Sequence, residues 1–160
     1  MLSFSDRLAA AVRRCQTPAL VGLDPRADSL PGPVVAASSS AEDVAQAYVR
    51  FCQGVVDVVA PLVPAVKPQA AFFEALGVPG MAALKQVIDY AAGKGLLVIL
   101  DGKRNDIDST ALAYAEAYLG PGDASPWGAD ALTVSPYLGD DSLTPSRRPR
   151  GAARPAFSCS

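Results

Sequence analysis

Four short apolar segments recur along the chain, separated by stretches whose apolar residues have helical spacing. The apolar segments are 19–23, 65–66, 96–100 and 131–134. The helical stretches are 3–14, 40–59, 81–92 and 110–119. Apolar strands that alternate with amphipathic helices are typical of a parallel sheet with right-handed crossovers. The pattern therefore predicts an α/β fold with four parallel strands.

The densest group of charges follows the third apolar segment. Asp101, Lys103 and Asp106 come directly after it, and residues two apart in an extended chain point to the same side. A lysine between two carboxylates remains protonated, because each negative charge favours the charged form. Such a lysine is suited to donate a proton. The same triplet is also common in solvent-exposed loops, where an ion pair contributes about 0–1 kcal/mol.

The other apolar segments also end in polar residues, namely Asp24, Lys67 and Ser135. The carboxyl ends of parallel strands meet at one edge of a sheet, and α/β proteins hold their active sites there. We therefore expect all four strand ends to contribute to one cleft. Ser109 or Asp108 is expected to cap the helix that follows the third strand.

Composition narrows the possible chemistry. Half of the 160 residues are hydrophobic and 19% are charged, which is typical of a globular chain. Histidine is absent and the three cysteines lack metal-ligand spacing, so neither a metal site nor a histidine-based mechanism is expected. No apolar run approaches the roughly 20 residues of a membrane span, and the first residues do not resemble a signal peptide. We predict a cytoplasmic protein that does not associate with a membrane.

Charge is distributed unevenly along the chain. Residues 1–143 carry a net charge of −6, whereas residues 144–160 carry four arginines and no acidic residue. An acidic body is a poor match for nucleic acid, so no nucleic-acid partner is expected. The basic segment, rich in proline and arginine, is predicted to be a separate tail that is disordered or the product of a changed reading frame.

The pattern Asp101-x-Lys103-x-x-Asp106-Ile107-x-x-Thr110 after an apolar strand resembles the signature of the orotidine 5'-phosphate decarboxylases. Three other segments resemble those of the second, bacterial type of these enzymes. They are Leu23-Asp24-Pro25-Arg26, Lys67-Pro68-Gln69 with Phe72-Phe73-Glu74, and Val134-Ser135-Pro136-Tyr137-Leu138-Gly139. Two positions depart from the family pattern, because Asp108 stands where glycine is usual and Ser135 where asparagine is expected.

The resemblance implies that the protein converts orotidine 5'-monophosphate to uridine 5'-monophosphate and carbon dioxide, with neither metal nor organic cofactor. Lys67, Asp101, Lys103 and Asp106 would form an alternating array of catalytic residues. Lys103 would stabilise the carbanion that forms on the ring and then protonate it.

The remaining site residues implied by the resemblance bind substrate. Asp24 would bind the ribose hydroxyls, and Ile107 and Thr110 belong to the signature. Asp106 and Thr110 would reach into the active site of a neighbouring subunit, so the complete enzyme is expected to be a homodimer.

The family fold is an eight-stranded (β/α) barrel, which normally needs about 250 residues. Only about four β/α units are expected in this chain. We therefore expect residues 1–143 to form the N-terminal half of a barrel, followed by the tail at 144–160, and activity to be impaired.

Two other functions are compatible with the sequence. A barrel aldolase would use Lys67 or Lys103 to form a Schiff base, which requires a neutral amine that the neighbouring carboxylates disfavour. A non-catalytic fragment or interaction module would use the basic tail, and its binding would be sensitive to salt.

Overall fold

A computed structural model describes residues 2–31, 40–119 and 125–147. The strands are β1 (Leu20–Leu23), β2 (Ala65–Pro68), β3 (Leu97–Leu100) and β4 (Ala131–Leu132). The α-helices are α1 (Phe4–Cys15), α2 (Ala41–Val59), α3 (Ala70–Glu74), α4 (Val78–Gly93), α5 (Asp108–Tyr118) and α6 (Asp140–Arg147). Short 3-10 helices cover Ala27–Ser29 and Pro136–Leu138.

The four strands form one parallel sheet in the order β1-β2-β3-β4. Leu20 pairs with Ala65, which in turn pairs with Leu97, and Ile99 pairs with Ala131. Because consecutive strands are neighbours and all run the same way, their carboxyl ends lie along one edge, called the carboxyl edge below. The predicted parallel sheet is thus present, with its strands in sequence order.

The two faces of the sheet pack against different helices. One face is buried by residues of α2 and α4, and its sheet residues include Val66, Val98 and Leu100. On the other face Ala65 and Leu97 pack against α1. These two residues are the first of their strands, so α1 covers only the amino end of that face.

The charged residues lie on the same face as α1, at its carboxyl end, which α1 does not cover. Side chains two apart along a strand share a face, so Lys67 lies on the face of Ala65, and Asp101 lies on the face of Leu97 and Ile99. The alternating direction of successive side chains along β2 and β3 therefore places Lys67 and Asp101 on the same face of the sheet.

The short helix α3 follows β2 directly and packs tightly on α4. A Cβ atom on Gly80 of α4 would lie 1.8 Å from the carbonyl oxygen of Phe73 in α3, so the contact requires glycine at this position. The sequence did not predict α3, because a helix of five residues is too short to establish a period. Its effect is to hold the segment after Lys67 against the helical layer.

Two predicted helix starts are corrected by the structure. α4 begins at Val78 rather than Met81, because Pro79 is tolerated in a first helical turn. The N-cap of α5 is Ile107, without a side-chain cap, so the prediction that Ser109 or Asp108 caps this helix is wrong. By contrast, Ser40 caps α2, since its hydroxyl accepts the Asp43 N–H at 3.1 Å.

The end of the chain is partly described. Helix α6 extends to Arg147, four residues past the boundary predicted at 143. Residues 148–160 lie outside the described part, and the prediction of a disordered or frameshifted tail stays a prediction for them. In the described ranges, every helix is too short or too polar to span a lipid bilayer.

Candidate active site

Three charged side chains meet at the carboxyl edge and form what we call the lysine–aspartate cluster: Lys67, Asp101 and Lys103. Lys67 Nζ lies 2.7 Å from Asp101 Oδ2, and Lys103 Nζ lies 2.6 Å from Asp101 Oδ1. The parallel pairing of β2 with β3 brings Lys67 to Asp101 although they are far apart in sequence. With two ammonium groups and one carboxylate, the cluster carries one excess positive charge.

Two further side chains complete the environment of Asp101. The Thr133 hydroxyl donates to Oδ1 at 2.9 Å, and Gln69 Nε2 donates to Oδ2 at 3.1 Å. Each carboxylate oxygen therefore accepts two hydrogen bonds, which fills the acceptor capacity of the group. The side chain of Asp101 is only 10% exposed.

These contacts decide the charge of Asp101. Burial alone raises the pKa of its carboxyl group, because it disfavours the charged form. Hydrogen bonds from Lys103, Lys67 and Thr133 outweigh that effect and hold the pKa below its ordinary value. Asp101 is consequently a permanent anion at neutral pH, suited to hold cations in place and unsuited to act as a general acid.

Lys103 has an unusual backbone and an open side chain. Its φ angle is +47°, in the left-handed region that residues other than glycine rarely adopt. Its N–H donates to the Thr133 hydroxyl oxygen at 3.0 Å, which supports this conformation. The Lys103 side chain is 65% exposed, against 29% for Lys67. Lys103 is therefore the ammonium group that an incoming ligand can reach.

Arg104 connects the end of β3 to two helices. Its guanidinium forms an ion pair with Glu74 at the end of α3, and it lies 5.9 Å and 5.8 Å from the ring centres of Tyr114 and Tyr118 in α5. Its backbone N–H donates to the carbonyl of Thr133 at 3.1 Å. The segment that follows Asp101 is thus fixed on both sides of Lys103.

Among the described residues, the other predicted site residues make no hydrogen bond or ion pair with the three charged side chains of the cluster. Asp24 is exposed directly after β1. Asp106 accepts the N–H of Ile107 at 2.8 Å, and it forms neither an ion pair nor a hydrogen bond with the cluster. Ile107 is 53% exposed and Thr110 is exposed in the first turn of α5. Within this chain, Lys103 therefore contacts one carboxylate and not the two that the sequence suggested.

The two positions that depart from the family pattern have clear places in the fold. Asp108 is the first residue of α5. Ser135 precedes the 3-10 helix Pro136–Leu138 and makes no side-chain cap for it.

Sequence reasoning did not identify the residues that surround Asp101. Gln69 was noted only as part of a family segment, and Thr133 only as part of a strand. The signal that identifies Thr133 is the strand register: Ile99 pairs with Ala131, so two residues further on Asp101 faces Thr133. A register of this kind requires the strand pairing, which a single sequence does not provide.

The described residues contain no group of three or more His, Cys, Asp or Glu side chains arranged to hold a metal ion. What the carboxyl edge offers is a buried anion that fixes an exposed ammonium. Such a preorganised cation can stabilise negative charge as it develops on a bound molecule, because it needs no reorientation at that moment.

Comparison with known proteins shows the family of the chain. The sequence profile of the Orotidine 5'-phosphate decarboxylase / HUMPS family matches residues 20–152. The chain belongs to this family. Its similarity to an orotidine 5'-phosphate decarboxylase of Rhodopirellula baltica is 57% identity over 149 residues, which is 91% of this chain and 49% of that protein.

Solved structures of the same family share the fold. The chain is similar to a crystal structure from Streptomyces avermitilis assigned to orotidine 5'-phosphate decarboxylase, with a TM-score of 0.76 and 41% identity over 91% of this chain and 48% of that one. The OMP decarboxylase of Leishmania donovani gives a TM-score of 0.69 and 37% identity, covering 91% and 49% of the two chains. The predicted fold class, four β/α units of a family that forms (β/α)8 barrels, is confirmed. The chain spans about half the length of the relatives it matches.

Proposed function

We propose that the lysine–aspartate cluster decarboxylates orotidine 5'-monophosphate to uridine 5'-monophosphate within an assembly that supplies the remainder of a barrel. The observation that carries this proposal is the exposed ammonium of Lys103, fixed 2.6 Å from a buried carboxylate at the carboxyl edge. Family membership supplies the substrate class, since relatives named orotidine 5'-phosphate decarboxylase match 91% of the chain.

The chemical step breaks the bond between the pyrimidine ring and its carboxylate. Carbon dioxide leaves, and the electron pair of that bond stays on the ring carbon. The Lys103 ammonium stabilises this carbanion and then gives it a proton, which forms the new carbon–hydrogen bond. Water afterwards returns a proton to the amine. The reaction balances without an oxidant, a metal or an organic cofactor.

Asp101 and Lys67 act on this step through Lys103. The Asp101 carboxylate holds both ammonium groups, and its depressed pKa keeps it charged throughout. The ammonium nitrogens of both lysines thus lie within 2.7 Å of this anion. The Schiff-base alternative needs a neutral amine and is disfavoured by the same contacts.

The remaining signature residues serve the substrate and a second subunit. Asp24, exposed after β1, binds the ribose hydroxyls. Asp106 and Thr110 make no hydrogen bond or ion pair with the cluster of their own chain and are half-buried and exposed, respectively, which suits residues that complete a neighbouring active site. Ile107, 53% exposed, contacts the substrate. The assembly is a homodimer in the cytoplasm.

The test is a chimera in which residues 1–147 replace the matching half of the Rhodopirellula baltica relative. The chimera is expected to decarboxylate orotidine 5'-monophosphate, measured by its loss of absorbance. Lys103→Ala should lower kcat by at least about 10²–10³-fold, the range for loss of a preorganised charge-stabilising group. Binding of uridine 5'-monophosphate, measured by calorimetry, should remain. Lys85→Ala on the outer surface of α4 is the matched control and should leave kcat unchanged.

Near-normal turnover of the Lys103→Ala chimera would overturn the proposal. Trapping of a carbonyl compound on the chain with borohydride would support the aldolase alternative instead. Salt-sensitive binding that disappears when residues 148–160 are deleted would support an interaction module.

A further inference from the structure

We propose that Thr133 is a positioning residue for Lys103, and that its hydroxyl sets both the backbone and the charge partner of the proton donor. This inference rests on the proposed function, because it concerns the same ammonium group. It goes beyond that function in assigning a role to a residue outside the signature, on the neighbouring strand.

Donor and acceptor chemistry fixes the direction of the two hydrogen bonds at Thr133. The N–H of Lys103 can only donate, and it lies 3.0 Å from Thr133 Oγ1. The ionised Asp101 carboxylate can only accept, and its Oδ1 lies 2.9 Å from the same oxygen. The hydroxyl hydrogen therefore points at Asp101, and a lone pair receives the Lys103 N–H. One hydroxyl connects the backbone of Lys103 to the carboxylate that holds its side chain.

The backbone of Lys103 needs this support. A left-handed conformation is unfavourable for a residue with a Cβ, and such residues persist only where their surroundings fix them. Thr133 supplies two contacts of this kind, because its carbonyl also accepts the N–H of Arg104 at 3.1 Å. The backbone N–H groups of Lys103 and Arg104, which are consecutive residues, thus both donate to oxygens of Thr133.

The same hydroxyl also contributes to the electrostatics of the cluster. Asp101 Oδ1 accepts from both Thr133 and Lys103, so the two donors share one oxygen. The Thr133 hydrogen bond lowers the pKa of Asp101. Removing the Thr133 hydroxyl should raise the pKa of Asp101. It should also leave the Lys103 ammonium less firmly held in position.

The test compares Thr133→Val, which keeps the shape and loses the hydroxyl, with Thr133→Ser, which keeps the hydroxyl. In the full chain, NMR follows the Cα and Cβ shifts of Lys103, which report its left-handed conformation, and the titration of the Asp101 carboxyl carbon. In the chimera, kcat and KM are measured. Thr17→Val is the control, because Thr17 also accepts a backbone N–H, from Ala19 at 3.1 Å, in an exposed loop before β1.

We expect Thr133→Val to lose the left-handed signature of Lys103, to raise the pKa of Asp101 and to lower kcat by about 10–100-fold, the size of effect that corresponds to loss of one hydrogen bond to a charged group. KM should change little, since the hydroxyl is occupied within the cluster. Thr133→Ser should restore all three readouts toward the native values. Thr17→Val should match the native protein.

Native values of the Lys103 shifts, the Asp101 titration and kcat in Thr133→Val would overturn the inference. If that variant does not fold, Thr133→Ala and Thr133→Ser are compared by the same readouts, and equal behaviour of these two would overturn it. An inactive native chimera whose Thr133 variants still change the NMR readouts would refute the proposed function and leave the positioning role standing. An active chimera whose kcat and NMR readouts stay the same when the Thr133 hydroxyl is removed would refute the positioning role and leave the proposed function standing.

Discussion

The two ends of the sheet each hold a nearly buried aspartate in an ion pair, yet the two sites differ in kind. At the amino end, Asp130 accepts the N–H of Val98 at 2.8 Å and pairs with Arg7 of α1 at 2.6 Å. At the carboxyl edge, Asp101 pairs with two lysines. The aspartate side chains are about equally buried, 9% and 10% exposed.

The two sites differ in their net charge. Arg7 and Asp130 neutralise each other, and their contact attaches α1 to the amino end of the sheet. The lysine–aspartate cluster keeps one positive charge, and Lys103 presents it to solvent. A matched pair serves the fold, whereas an unmatched and exposed charge is available for chemistry. Burial of a carboxylate alone would not have separated the two sites.

The largest expected effect is on kcat, and it distinguishes the carboxyl edge from the amino end of the sheet. Lys67→Met in the chimera should lower kcat by about 10²–10³-fold, because it removes one of the cations that define the field at the site. Arg7→Met should leave kcat per folded molecule unchanged. A steady-state assay corrected for the folded fraction checks both, and equal losses from the two variants would contradict the comparison.

The next effect concerns the support of the carboxyl edge. Gly80→Ala should destabilise the chain by about 3 kcal/mol, since overpacking against the Phe73 carbonyl forces the backbone of α3 to move. Gly54→Ala in α2 is the control, because nothing lies within 4 Å of its added methyl group. That control should stabilise the chain by about 0.5–1 kcal/mol. Urea unfolding followed by circular dichroism measures both, and a stable Gly80→Ala variant would exclude the tight contact.

A smaller effect is expected at the amino end. Asp130→Ala leaves the Val98 N–H without its acceptor and Arg7 without its partner. The free energy of unfolding should fall by about 1–2 kcal/mol, with kcat of the folded chimera unchanged. Asp6→Ala removes an exposed carboxylate of α1 and serves as the control. A loss of turnover without a loss of stability in Asp130→Ala would show that the amino end also takes part in catalysis.

The smallest expected effect is on the free energy of unfolding, and it appears only at acidic pH. The pKa of Asp101 is lowered in the folded state from an ordinary 3.8, so as pH falls below about 4 the unfolded chain binds the proton first. The contribution of Asp101 to stability is present above that pH and is lost as pH falls toward the folded-state pKa. Asp101→Asn should therefore flatten the acid side of a plot of unfolding free energy against pH. An unchanged slope would mean that the lysines do not stabilise the carboxylate.

The sequence predicts the carboxyl edge in outline because its information there is local. Short apolar runs place β2 and β3, and the polar residues that follow these runs put Lys67, Asp101 and Lys103 at strand ends. The helix start at α5 shows where local reasoning fails. Asp108 and Ser109 are both polar candidates for the cap, but the N-cap is Ile107. The helix begins one residue earlier than an Asp108 cap requires and two residues earlier than a Ser109 cap requires.

Other features depend on contacts between distant segments. The partnership of Thr133 with Asp101 follows from the β3–β4 register, and that of Arg104 with Glu74 follows from a helix too short to show a period. The positive φ of Lys103 is not readable from the residue, since lysine has no preference for that conformation. These contacts required the folded chain, in which pairing between strands brings the partners together.

Position 103 makes two demands that no single amino acid meets well. Its main chain adopts a shape to which glycine is best suited, while the proposed proton transfer requires an ammonium on its side chain. Substitution of Lys103 therefore has a cost in either case. A smaller residue such as glycine relaxes the turn but loses the charge. Arginine keeps the charge but places it in a wider, flatter group.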